Sequence, residues 1–404
     1  MTSITKPKIC TGCMACRLIC PEKCIGAAED YEGFIIPQIE DARCVDCGLC
    51  ASRCPENDDT GFGLNECRRV LAVKSKDDTM LLGSASGGVF AGIAKRILDT
   101  PGNAVFGCAY DENLVASHIC VTDLGGLPQL QSSKYVQSET GDTYLQAKVL
   151  LDAGKTVFYT GTPCQIAGLR AFLGSDYDNL LTADLICHGV PSPLLFKRYL
   201  RWLGKKHGGA VISYNFRSKE IDGWGLMSKT VIKTGEKTKT RFISPYVDPY
   251  YNSFLNSGTY RECCYTCRYA GSRRVADLTL GDYWGIERVK PEFFDSKGIS
   301  VVLINTGKGS RWFEKVIGGF DTVGTGFEDA AAHNRTLREP SHRPALRDSA
   351  YDGISGAEAG VFRNPTYRIG KGVYIRTFVK AGLKRGLPSA AIEKYRNMKR
   401  SSVF

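Results

Sequence analysis

Residues 10–21 read CTGCMACRLICP and residues 44–55 read CVDCGLCASRCP. Each stretch sets four cysteines at gaps of two, two and three residues and closes on proline: Cys10, Cys13, Cys16, Cys20 and Pro21, then Cys44, Cys47, Cys50, Cys54 and Pro55. This is the spacing that holds a pair of [4Fe-4S] clusters. Two-residue gaps let one tight loop wrap three thiolates around a cluster, and the fourth cysteine reaches across to the other. The spacing therefore predicts Cys10, Cys13 and Cys16 with Cys54, and Cys44, Cys47 and Cys50 with Cys20. The prolines turn the chain away after each crossing cysteine. Structural zinc also uses short Cys-x2-Cys gaps but stops at four ligands, and two complete phrases speak against it.

Working outward, residues 1–60 read as a bacterial-type ferredoxin domain, with Tyr31 to Ile39 as its internal strand. Cys24, a thiol just beyond the first phrase, reads as a small buried side chain. The opening MTSITKPKIC has no apolar signal segment, which predicts a reducing, cytoplasmic setting without disulfides. No run of the 404 residues approaches the ~18 apolar residues of a membrane span. Asn57 to Asn65 reads as a polar linker.

From Val70 the pattern alternates strands and helices. Val70–Val73, Val105–Tyr110, Val115–Val121, Thr156–Tyr159, Leu180–Ile186 and Ile299–Ile304 read as strands. Ser86–Leu98, Tyr144–Leu151, Pro163–Leu173, Pro193–Leu203 and Ser310–Ile317 read as helices. Val211–Phe216 and Lys229–Lys233, with a turn at Gly235, suggest a smaller β-rich insertion. The predicted fold is thus a ferredoxin domain followed by an α/β core, residues 68–320, with a mixed sheet. Residues 321–404 form a basic helical extension. From Tyr367 it carries ten Lys or Arg against the single Glu393, with Ile375, Phe378 and Val379 as a partial apolar stripe. A solvated helix is the default, and contact with an acidic protein or a membrane surface is the alternative.

A second set of cysteines lies in the core. Thr160-Gly161-Thr162-Pro163-Cys164-Gln165 sits at a strand-to-helix turn, where Thr162 caps the helix and Pro163 opens it. Cys187-His188-Gly189 follows the next strand. If the two strands are parallel neighbours, both cysteines share the carboxyl-end rim where ligands bind. Cys264 and Cys267 add two thiols from a distant loop, and Cys263 adjoins them as a rival ligand. The residues leave four readings open: a third cluster, a Cys164–His188 nucleophile and base, half a zinc site, or unrelated core cysteines. Cys67, Cys108 and Cys120 have no partner spacing and read as packing residues. Ser86-Gly87-Gly88 opens a helix whose bare N–H groups suit a pyrophosphate, with Lys134 and Tyr135 as a cation and an aromatic face nearby; a plain helix cap is the alternative.

Ser86-Gly87-Gly88, Ser133-Lys134-Tyr135-Val136, Gly161-Thr162-Pro163-Cys164-Gln165, Cys187-His188-Gly189, Cys264-x2-Cys267 and the run Ala276 to Gly285 occur in order. Together they resemble the coenzyme F420 hydrogenase/dehydrogenase beta-subunit family, whose plant relatives include 7-hydroxymethyl chlorophyll a reductase. The resemblance implies an FAD-binding core with a [4Fe-4S] cluster on Cys164, Cys187, Cys264 and Cys267. It also implies flavin contacts from Ser86, Gly87, Gly88, Lys134, Tyr135, Thr160, Gly161, Thr162 and Gln165. His188 is a candidate acid near the flavin, and Asp277 and Asp282 read as turn and cap residues. The expected activity is an oxidoreductase that passes electrons between a ferredoxin-like carrier and a small hydride donor or acceptor. An electron-relay subunit without its own substrate is the alternative. Three clusters and FAD would bring about eight negative charges. Most of the formal +11 charge is thereby balanced, so basicity is no argument for a nucleic-acid partner.

Overall fold

The computed structural model describes residues 4–57, 63–356, 358–370, 372–373 and 376–377. A two-stranded antiparallel sheet, β1 (Ile25–Glu29) with β2 (Ile35–Ile39), lies in the N-terminal module between short helices at Ala15–Ile19 and Leu49–Ser52. The buried residues it keeps to itself are few: Ile4, Cys16, Cys24, Ile25, Cys50 and Cys54.

The core is one eight-stranded mixed sheet. Its strands are β3 (Arg69–Ser75), β4 (Ala104–Tyr110), β5 (Ala116–Val121), β6 (Val157–Gly161), β7 (Leu180–Leu185), β11 (Leu278–Asp282), β12 (Ser300–Ile304) and β13 (Phe320–Thr325). The spatial order is β13-β3-β12-β11-β7-β6-β4-β5, in which β4, β6, β7 and β11 run parallel. Alternation along β6 sets the two faces. Phe158 packs with Ile93, Ile97 and Phe313, under the helices Val89–Leu98 and Gly307–Glu314. Val157 and Tyr159 pack with Tyr144, Ile166 and Leu169, under the helices Thr143–Asp152 and Pro163–Leu173. The predicted insertion is a separate antiparallel sheet, β8 (Ala210–Asn215), β9 (Ser228–Thr234) and β10 (Lys237–Ile243). It packs with the helix Pro193–His207 in an aromatic cluster around Tyr199, Tyr214, Phe216 and Tyr250.

Two readings need correction. The run 277–285 is not a turn throughout: β11 is a central strand, disguised by polar residues that find buried partners. Asp277 accepts hydrogen bonds from the Thr182 and Thr306 hydroxyls at 2.8 and 2.7 Å, and Thr279 accepts one from Arg274. The core also runs past residue 320. β13 pairs with β3, and Tyr351, Ile354, Val361 and Tyr367 are buried against the insertion. Ile375, Phe378 and Val379 of the basic tail, and most of the predicted linker, lie outside the described residues.

The module is fastened to the core by polar contacts on both sides. Glu32 and Arg347 form a buried bidentate ion pair, at 2.8 and 2.5 Å. The Gln137 side chain exchanges two hydrogen bonds with the Ile35 backbone. Thr140 donates to the Cys13 carbonyl, and Arg261 donates to the carbonyls of Cys10 and Ile35.

Candidate functional site

Three cavities are lined by cysteine. The inner cavity of the module gathers Cys10, Cys13, Cys16 and Cys54. The outer one gathers Cys20, Cys44, Cys47 and Cys50, together with Cys24. These are the two sets that the spacing predicts, each with its crossing cysteine. Their empty volumes are alike, ≈ 320 and ≈ 340 Å³. Cys24 is more than a packing residue, because its Sγ lies 3.4 Å from that of Cys20.

The third cavity, ≈ 830 Å³ of empty volume, lies where the module meets the core. Cys164, Cys187, Cys263, Cys264 and Cys267 all line it, with His188 and Arg261. The topology explains the convergence. β6 and β7 are parallel neighbours with Gly161 opposite Asp184, so the turns after them carry Cys164 and Cys187 to one rim. Thr162 and Gln165 close a capping box at the start of the helix Pro163–Leu173, which fixes Cys164 in its first turn. The 3-10 turn Glu262–Thr266 and the residue after it bring in the last three thiols. Arg274, ion-paired with Asp184 at 2.9 Å, donates to the carbonyls of Leu185 and Tyr269. It thereby ties the Cys187 strand to the Cys267 loop. Gly189, at φ +139°, leaves no room for a side chain: a Cβ there would lie 2.5 Å from the Tyr260 ring.

Burial pushes the Cys187 thiol up to about 12 and Cys267 up to about 11, and Cys164 rises too. Neighbouring thiols add to each shift. Thiolates so placed need a positive partner, which is what bound iron supplies. Among the described residues no three His, Cys, Asp or Glu side chains are gathered tightly enough to hold a single metal ion. Two buried hydroxyls on the cavity wall, Thr11 Oγ1 and Thr336 Oγ1, have no hydrogen-bond partner among the described residues. Cluster sulfurs accept such bonds, so the donor set fits the group.

The three cavities form a series. Cys47 is exposed at the outer one. The inner module cavity and the core cavity share Thr11, Gly12 and Glu56 as walls. Cys13 sits against Gly168, one helical turn beyond Cys164, and a Cβ at Gly168 would lie 2.9 Å from Cys13 Cβ and 3.0 Å from its Sγ.

The flavin candidates divide into two groups. Thr162 and Gln165 line the core cavity, while Thr160 and Gly161 lie buried in β6 beneath it. Ser86, Gly87 and Gly88 stand at the start of the helix Val89–Leu98, but Ser86 is not its cap: its Oγ donates to the Ile299 carbonyl, and Gly88, at φ +86°, takes the N-cap position. The Gly87 N–H is held by Ser300 Oγ, because this loop packs against β12.

Sequence reasoning missed what surrounds that loop. Arg217, fully buried, donates to Asp282 through two nitrogens at 2.7 and 2.8 Å, to the Ala85 carbonyl and to the Tyr135 hydroxyl. Lys219 donates to the carbonyls of Leu81 and Ser86. Asp282 also accepts from Trp224 Nε1, and Trp224 stacks on Trp284 at 4.8 Å. Arg217 therefore joins Tyr135 to the Ser86 loop. Lys134 donates to the carbonyls of Gln129 and Gln131. Burial lowers both Lys134 and Lys219 to about 8. An Arg-Ser-Lys triplet ahead of a lone tryptophan was the available signal, and no periodicity marks it.

The fold and the cysteine cavities define an iron–sulfur redox protein with a dicluster module on an α/β core. Residues 9–57 match the 4Fe-4S dicluster domain family. Residues 154–319 match the family described as the C terminus of the coenzyme F420 hydrogenase/dehydrogenase beta subunit. The match to the coenzyme F420 hydrogenase/dehydrogenase beta-subunit family is thus confined to residues 154–319. A chain of the F420-reducing [NiFe] hydrogenase complex from Methanosarcina barkeri is similar at 16% identity and a TM-score of 0.44, over 75% of this chain and 97% of that one. No curated protein matches. Among the described residues no helix is long and apolar enough to cross a membrane.

Proposed function

We propose that the chain is an iron–sulfur flavoprotein oxidoreductase that joins a one-electron carrier of the ferredoxin type to a small hydride donor or acceptor. One observation carries this reading. Cysteine-lined cavities stand in series from the surface, at Cys47, to a sheet rim where ligands of α/β folds bind. When bound, [4Fe-4S] clusters supply single-electron chemistry and FAD supplies the junction to hydride chemistry.

The residues then divide the work. Cys10, Cys13, Cys16 and Cys54 hold the inner module cluster, and Cys20, Cys44, Cys47 and Cys50 the outer one. Cys164, Cys187, Cys264 and Cys267 hold a third. Thr11 and Thr336 would be the hydroxyl donors on its wall. Arg261 keeps the inner cavity against the core one through the Cys10 carbonyl. The start of the helix Val89–Leu98, with Arg217 and Lys219 beside it and Asp282 as the carboxylate facing them, has a positive excess suited to a pyrophosphate. His188 lines the core cavity, and its carbonyl accepts from Ser341, which fixes the loop while leaving the ring available to a substrate.

The test is flavin extraction from anaerobically purified protein, followed by reduction of the same sample with reduced ferredoxin, NADPH and the deazaflavin coenzyme. Stoichiometric FAD that bleaches with one of them alone is expected. A preparation without a yellow cofactor overturns the flavoprotein reading. FAD that bleaches only with a further subunit present replaces it with the electron-relay reading.

A further inference from the structure

The three cysteine cavities do not carry equal numbers of thiols. The inner module cavity has four, while the outer module cavity, with Cys24, and the core cavity have five each. The surplus thiol in the core is Cys263. It is buried at 7% exposure and adjacent in sequence to Cys264. It lines the same cavity as Cys164, Cys187, Cys264 and Cys267. Cys67, Cys108 and Cys120 differ in every one of these respects. They line none of the cysteine cavities, and the contacts of Cys67 and Cys108 are backbone carbonyls. Packing alone accounts for those three and not for Cys263, since apolar side chains fill a core without placing a fifth sulfur among four.

Cys263 and Cys264 both line the core cavity. Cys263 and Cys264 occupy one 3-10 turn, Glu262–Thr266, held by the Cys264 N–H on the Arg261 carbonyl at 2.9 Å. Arg261 itself is anchored on the module. Three residues per turn set the two side chains about 120° apart, so the turn must rewind to bring one sulfur into the other's place.

We propose that Cys263 is an exchangeable fifth ligand of the core site, competing with Cys264 for one iron; this rests on the reading of that site as a cluster. With a cluster bound, the iron–Sγ bond to Cys264 would be exchanged for one to Cys263, and the Cys263 thiol proton would end on the released Cys264 sulfur. No electron moves and no further reagent is consumed. Cys187 has no adjoining cysteine, so its place has no substitute. The site thus has one fixed corner at Cys187 and one exchangeable corner at the 263–264 turn.

The test uses the full-length protein, reconstituted anaerobically with iron and sulfide. Iron is counted per chain, and the dithionite-reduced state is examined by electron paramagnetic resonance. The variants are Cys263→Ala, Cys264→Ala, the double variant and Cys187→Ala. The expected result is about twelve irons for each 263 or 264 single variant and about eight for the double variant and for Cys187→Ala. Cys264→Ala should also show an altered signal from the core cluster. Retention of the eight module irons shows that each variant has folded. Cys264→Ala at about eight irons, alongside Cys187→Ala at about eight and wild type at about twelve, overturns the exchange and leaves the core cluster standing. Wild type at about eight, or Cys187→Ala at about twelve, removes the core cluster and the exchange with it.

Discussion

The module and the core hold sulfur in opposite ways. In the module the cysteines are the structure: four of the six residues in its own buried cluster are Cys16, Cys24, Cys50 and Cys54. In the core an eight-stranded sheet with aliphatic layers on both faces would stand without them, and the thiols sit on its rim. Small domains with little apolar burial depend on metal for folding energy, whereas a large sheet does not. The charge divides the same way. Residues 1–57 carry eight Asp or Glu against six Lys or Arg, so the basic excess of the chain lies outside the module.

Removing the iron is the largest perturbation of that contrast. Chelation under reducing conditions should open residues 4–57 to proteolysis and fast amide exchange while the sheet stays protected. Equal loss in both regions would erase the distinction. Next comes Arg274→Ala, which strands Asp184 in the core rim. Losing one partner of a buried ion pair costs about 3–5 kcal/mol, measurable by urea unfolding, and the Cys187 and Cys267 loops should separate. A loss below about 1 kcal/mol would show that Arg274 does not staple them.

Gly168→Ala tests the seam. The added methyl meets Cys13 Cβ at 2.9 Å and the Tyr144 hydroxyl at 3.0 Å, so overpacking of about 1–3 kcal/mol is expected. Electron passage between module and core should slow in stopped-flow reduction, with each region intact. An unchanged rate would place the connection elsewhere.

The lysines near the Ser86 loop and Tyr135 give a pH prediction. Burial lowers Lys134 and Lys219 from 10.5 to about 8, so both are cations at pH 7 and lose charge as pH rises through 8. An anionic ligand held by them should bind less tightly at pH 9 than at pH 7, by up to about tenfold per lysine per pH unit. The unfolded chain keeps those protons up to 10.5, so the unliganded protein should gain stability between about pH 8 and 10.5. Flavin titration and thermal melts across this range check both signs. The smallest effect is expected for Cys24→Ala. It should keep the module's irons but move the potential of the outer cluster downward, because a thiol donor 3.4 Å from Cys20 is lost.

The two regions also differ in how much of them the sequence discloses. The module's ligand sets follow from spacing because each phrase is local. The helix Pro163–Leu173 is readable to the residue, since Thr162, Pro163 and Gly174 bracket it. The core site is harder, because three segments meet only once β6 and β7 are known to be parallel neighbours. β11 was hidden because Asp277, Thr279 and Asp282 look like loop residues until their buried partners are seen. Ser86 looks like a cap by position, but the Ile299 carbonyl, just ahead of β12, lies close enough to accept from its hydroxyl. Arg217 has no local signal, because its partners lie 65 and 82 residues away in sequence.

The most direct measurement is iron and acid-labile sulfide per chain in anaerobically purified wild-type protein. Three four-cysteine sites predict about twelve of each. A count near eight, with the module's signals complete, would mean that the core cysteines hold no cluster, and the series from Cys47 to the sheet rim would be broken at its last step.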